Sequence, residues 1–171
     1  ANYADIKRSR EKPIVSLERG IVNPGMPAFF GWQKIEFSGA VGDSFEPVLR
    51  RNIASVESDV DLRVGDILER GKVDDKIRIL FLDVIKTMQI ARFVMSEYMP
   101  RLIPNRSIVL QQDYFIDLLP FIKTYQEALS AHFTYVGEVG PMAALLCTST
   151  PDGSIFKPDV TLDEANQLEL A

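Results

Sequence analysis

Residues 77–83 read IRILFLD, an apolar run broken only by Arg78 and closed by Asp83. A run this short and this continuous suits a central parallel β-strand covered on both faces. Residues 107–112, SIVLQQ, form a second such run and close on Asp113. Between them Met88, Ile90, Phe93 and Val94 recur at helical spacing, in a segment that ends near Pro100. Strand, helix and strand in this order imply parallel pairing through a right-handed crossover.

Working outward, residues 116–132 place Leu118, Leu119, Ile122, Tyr125 and Leu129 on one helical face. Residues 133–138 and 142–149 alternate as strands. The link Val139-Gly140-Pro141 is too short for a crossover, so this last pair is antiparallel and adds a reversed strand at the sheet edge. Toward the start, residues 13–18 (PIVSLE) and 60–64 are short strands and 34–37 a third candidate. Asn23-Pro24-Gly25 marks a turn before a short helix or loop. A helix begins after Asp43 or Ser44, either a natural N-cap, with Phe45, Val48, Leu49, Ile53 and Val56 facing inward. The whole reads as α/β: a Rossmann-like, mostly parallel sheet flanked by helices, with a C-terminal antiparallel hairpin strand. Residues 1–12 are a polar arm, 13–149 the domain and 150–171 a polar tail.

With 171 residues and 46% hydrophobic composition, one sizeable core is affordable. A net charge of −5 disfavours nucleic acid as partner. The small basic group Lys7, Arg8, Arg10 and Lys12 reads as a solvated chain end. No apolar run reaches the ~20 residues of a membrane span, and the first residues do not resemble a signal peptide. One cysteine, Cys147, rules out an internal disulfide and fits a reducing, cytoplasmic setting; its apolar surroundings suit a core thiol. The single His132 argues against a Ser-His-Asp system or a histidine-rich metal site.

In open parallel sheets, ligands gather outside the carboxyl ends of the strands. Asp66, Asp83 and Asp113 all fall at such ends. Each could instead cap the helix that follows. Lys86, three residues after Asp83, falls at the start of a helix, where the dipole and burial would lower its pKa toward that of a general base. A lysine snorkelling from the surface is the plainer reading. Two carboxylates without histidine or thiolate favour a hard cation such as Mg²⁺. The pair Gly39 and Gly42 ahead of a helix could cradle a phosphate, but GAVG lacks the dinucleotide spacing.

At these residues the sequence resembles class I S-adenosylmethionine-dependent methyltransferases, over about residues 43–148. ILFLDVIK shows the family's strand, Asp, two residues and Lys; a second strand ending QQDY follows about thirty residues later. This is similar to the metal-dependent O-methyltransferases of the catechol and caffeoyl-CoA type. PRLIPNRSIVLQQDY and GDSFEPVLRRN resemble macrolide- and sugar-modifying relatives, and FTYVGEVGPMAALLCTS the reversed last strand. The resemblance implies Mg²⁺ on Asp83 and Asp113 and Lys86 as the base for a substrate hydroxyl. It implies S-adenosylmethionine near Asp83, with Asp66 (in VGDILE) beside the adenine. If residues 13–18 are the family's second strand, Glu18 is the ribose-binding acid; the alternative takes IEFSGAVGDS as the first strand and its loop. The sequence departs from the family in having Tyr114 where Asn or Asp usually follows, and in lacking a glycine-rich cofactor loop. The implied function is methyl transfer to a hydroxyl of a small molecule, sugar or polyketide, with homo-oligomerisation left open. The alternative is a catalytically degenerate binding or scaffold module, or part of a larger biosynthetic protein.

Overall fold

The computed structural model of the chain describes residues 13–116 and 118–152. It is a mixed α/β protein that divides into two compact units, residues 1–72 and 73–171. The expected polar arm at residues 1–12, and the tail from residue 153 onward, lie outside the described residues.

In the first unit, strand β1 (Ile14–Glu18) pairs parallel with β2 (Val60–Val64), so that Glu18 stands opposite Val64. The connection between them carries helix α1 (Met26–Trp32), helix α2 (Glu46–Ile53) and a 3-10 turn, Ala54–Asp59. Val22, Phe30, Phe45 and Val48 form its core, with Met26, Ile35, Phe37 and Leu49 packed against them. Phe30 meets Phe37 and Phe45 edge-on, the arrangement aromatic quadrupoles favour.

Two expectations change here, and a weaker possibility drops out. Residues 34–37 form no strand. Lys34 takes a left-handed φ of 54°, and the Ile35 N–H closes back onto the Phe30 carbonyl. That is a helix-terminating turn, which spends the backbone groups a strand would need. The GAVG stretch is neither a strand end nor a phosphate cradle. Its chain folds back so that Gly42 N–H bonds the Val22 carbonyl, and the Asp43 carboxylate accepts the Ala40 N–H, leaving an anion where an anion would have to bind. That arrangement also removes IEFSGAVGDS as a first strand and loop. The N-cap position of α2 is Phe45, with no side-chain cap; Ser44 Oγ instead accepts the Glu46 N–H at 3.3 Å.

The second unit holds a four-stranded sheet in the order β3-β4-β6-β5: β3 (Ile79–Leu82), β4 (Ile108–Gln111), β5 (Phe133–Val139) and β6 (Met142–Cys147). β3 and β4 are parallel, as expected from the crossover through helix α4 (Met88–Glu97). The first unit's helix α3 (Ile67–Arg70) is a single turn. β6 runs antiparallel to both β4 and β5, so the sheet is mixed rather than mostly parallel. The reversed strand is not at the edge, as expected, but inside. Its alternate residues Ala143, Leu145 and Cys147 are buried, whereas Thr134, Tyr135, Val136 and Glu138 of β5 are exposed. The strand with apolar positions to bury takes the place with two neighbours.

β3 is an edge strand. Leu80 and Leu82 are buried while Ile79 and Phe81 are 68% and 57% exposed, so the run is covered on one face and not on two. Ala91, Val94 and Met95 of α4 are buried; Met88, Ile90 and Phe93 are half-buried. The expected helix at 116–132 begins only at α5 (Pro120–Ala128), followed by a 3-10 turn, Ser130–His132. Proline has no N–H to give and belongs at a helix start, which fixes this boundary. Ile122, Tyr125 and Leu129 are buried as expected, while Leu118, ahead of the helix, is 87% exposed.

Candidate functional site

The second unit brings Asp83, Lys86 and Asp113 together. β3 and β4 are neighbours in register, Leu82 opposite Gln111, so both aspartates follow the carboxyl ends of adjacent strands. The Gln112 N–H bonds the Leu82 carbonyl at 2.8 Å and holds those ends side by side. Neither aspartate caps a helix. The cap of α4 is Thr87, whose Oγ1 accepts the Ile90 N–H at 3.3 Å, and α5 begins well after Asp113. The carboxylates are therefore free for each other's neighbourhood.

What lies between them is the Lys86 ammonium. Its Nζ donates to Asp83 Oδ1 at 3.0 Å and also to Asp113 Oδ2. The Asp113 side chain is 15% exposed, against 56% for Asp83 and 49% for Lys86. Asp113 adopts a left-handed φ of 61°, which aspartate tolerates better than most residues. This backbone turn takes the chain off the end of β4 at the residue that carries the carboxylate.

Lys86 lies in the loop before the helix, one residue ahead of the Thr87 cap, rather than in the first turn. Burial pulls its pKa down and is the largest single influence, but the hydrogen bonds and charges of Asp113 and Asp83 outweigh it. The net direction is upward, opposite to the lowering expected of a base. At neutral pH the group is an ammonium.

Sequence reasoning missed the support beneath this site. Gln111, buried at the end of β4, accepts a hydrogen bond from Tyr125 Oη, and its Nε2 donates to the Gln112 carbonyl at 2.7 Å. Gln126 Nε2 donates to Tyr125 Oη at 3.1 Å. Burial raises the pKa of Tyr125, keeping it a neutral donor. A glutamine on the inward face of an apolar strand, with a tyrosine on the following helix, is the signal that could have found it.

The other expected residues are elsewhere. Glu18 and Asp66 belong to the first unit, Glu18 ending β1 and Asp66 following β2. Asp66 does cap its helix: Oδ1 accepts the Leu68 N–H at 2.9 Å. Glu18 is half-buried, and its Oε1 accepts a long hydrogen bond, 3.4 Å, from the Gly20 N–H. The same unit contains an open cavity of about 750 Å³, lined by Phe29, Phe30, Met26 and Val48 and bordered by Glu18 and Arg19.

The implied Mg²⁺ does not fit the donors in place. Mg²⁺ asks for about six oxygens at about 2.0–2.1 Å. Here two carboxylates already share an ammonium, the next residue is a phenol, and no group of three or more His, Cys, Asp or Glu side chains converges among the described residues. His132 is used structurally, its Nδ1 2.8 Å from Ser149 Oγ. Cys147 is buried, its Sγ donating to the Ser149 carbonyl at 3.3 Å, as a core thiol. No helix among the described residues is long and apolar enough to cross a membrane. Comparison of the chain with known protein families and with curated proteins finds no match in either.

Proposed function

We propose that the chain is a Rossmann-like domain of an S-adenosylmethionine-dependent O-methyltransferase acting on a hydroxyl of a small molecule, sugar or polyketide. The observation that carries this reading is the reversed direction of β6. The last strand of the described chain is inserted antiparallel between β4 and β5, beside a parallel pair whose ends bear Asp83 and Asp113. That is the reversed strand the family resemblance implies, beside the acids it implies.

S-adenosylmethionine, when bound, supplies an electrophilic methyl group. Of the acids the resemblance assigns to the cofactor, Glu18 for the ribose and Asp66 for the adenine side both lie in the first unit, where Asp66 Oδ1 is engaged in capping. In this reading Lys86 acts as an ammonium. It orients the substrate oxygen and stabilises negative charge as that oxygen attacks, while Asp83, the more exposed carboxylate, accepts the proton. No step passes through a metal.

The acidic net charge supports a small-molecule substrate over nucleic acid. The scaffold-module reading draws on one specific observation, that the Asp66 carboxylate is engaged in capping. Calorimetric titration of the protein with S-adenosylmethionine separates the two. Saturable binding that weakens about tenfold, or ~1.4 kcal/mol, in Glu18→Gln supports the enzyme. No binding heat, with the fold intact by circular dichroism, removes the cofactor and with it the methyltransferase reading.

A further inference from the structure

We propose that Lys86 is a built-in cation: its ammonium takes the place of a divalent metal between Asp83 and Asp113, so the carboxylate pair is satisfied from within the chain. This goes beyond the methyltransferase reading and stands whether or not methyl transfer occurs.

The geometry gives the first argument. One Nζ is hydrogen-bonded to both carboxylates at once, each from the end of a different strand. A lysine that merely snorkelled from the surface would have no reason to reach a carboxylate 27 residues away while bonding another in its own loop. The second argument is anchoring. Ile85 is 1% exposed on one side of Lys86, and Thr87 caps α4 on the other, so the intervening loop is pinned at both ends. The third is charge. Two carboxylates held on neighbouring strand ends repel, and a cation between them relieves that repulsion. Lys86 supplies it and leaves the group with one net negative charge.

The fourth argument is donor chemistry. An ammonium carries three N–H donors. Two are taken by Asp83 and Asp113. The third can serve an incoming oxygen acceptor, which defines the class of ligand: a hydroxyl or a partly anionic oxygen. A divalent metal such as Mg²⁺ keeps several waters and needs only one or two carboxylates, so what occupies its place here is the ammonium already bonded to both.

Removing the internal cation should open the place to an external one. The test is Mn²⁺ uptake followed by loss of the free-ion paramagnetic resonance signal, in the wild type, Lys86→Ala, Lys86→Ala/Asp113→Asn and Asp113→Asn. The expected result is no site-specific uptake by the wild type and a gain of at least about tenfold in Mn²⁺ affinity in Lys86→Ala. The double variant should lose that gain. Two results overturn the proposal. One is a wild type that takes up one Mn²⁺ per chain and loses it in Asp113→Asn, an arm that needs no lysine variant to fold. The other is a folded Lys86→Ala chain that gains no affinity. Methyl-transfer activity enters neither arm, so failure here is distinct from failure of the cofactor titration.

Discussion

Lys86 Nζ donates to Asp113 Oδ2 across 27 residues of sequence, joining the loop after β3 to the turn after β4. The same Nζ bonds Asp83 within its own loop. Two consecutive parallel strands are thereby tied at their carboxyl ends by side chains as well as by the ladder between them.

This tie has a definite pH signature. The Lys86 pKa is raised in the folded chain from its ordinary value of 10.5. A raised pKa means that the folded state binds the proton more tightly than the unfolded state. The stabilisation is therefore complete below the unfolded value and is lost as pH rises through the folded one. The difference in urea midpoint between wild type and Lys86→Met should stay constant from pH 7 to about 10 and shrink above it. A difference that grew with alkalinity would contradict the assignment.

In the first unit Gly20 is irreplaceable for two independent reasons. Its φ is 71°, and a Cβ there would collide with Val64 Cγ1 on the neighbouring strand. Gly20→Ala should lower stability by about 1–3 kcal/mol through strain and overpacking at the end of the β1–β2 pair. Chemical denaturation checks this; an unchanged midpoint would mean that β1 and β2 part at little cost.

Cys147 should be inert in the folded protein. The side chain is buried against Ser149, and burial pushes its thiol pKa up, so little thiolate is available. Modification by a thiol reagent at pH 8 should be slowed at least about a hundredfold relative to the urea-unfolded chain. Equal rates would place the residue outside the core.

Much of the second unit was legible in the sequence, because its strands are short apolar runs closed by acids and its helices keep a strict period. Asp83, Lys86 and Asp113 were legible as a group for the same reason. Their chemistry was not. Lys86 was read as a base lowered by burial, but its two carboxylate partners, one of them 27 residues away, reverse the direction of its pKa. The edge position of β5 depends on which hairpin strand has more to bury, a comparison across strands that periodicity within one strand does not make. Residues 34–37 alternate as a strand would, yet the helix-terminating turn at Lys34 claims their backbone. Pro120 was in plain view and set the start of α5, but the apolar spacing of Leu118 and Leu119 suggested an earlier one.

The most direct test of the account is a double-mutant cycle on Lys86 and Asp113, using Lys86→Met, Asp113→Asn and the pair, with stability read from urea denaturation at pH 7. If the ammonium is held by the carboxylate as the structure has it, the two substitutions are coupled by about 1 kcal/mol, the pair costing less than the sum of its members. Additivity to within about 0.3 kcal/mol would contradict the bridge on which both the site and the built-in cation rest.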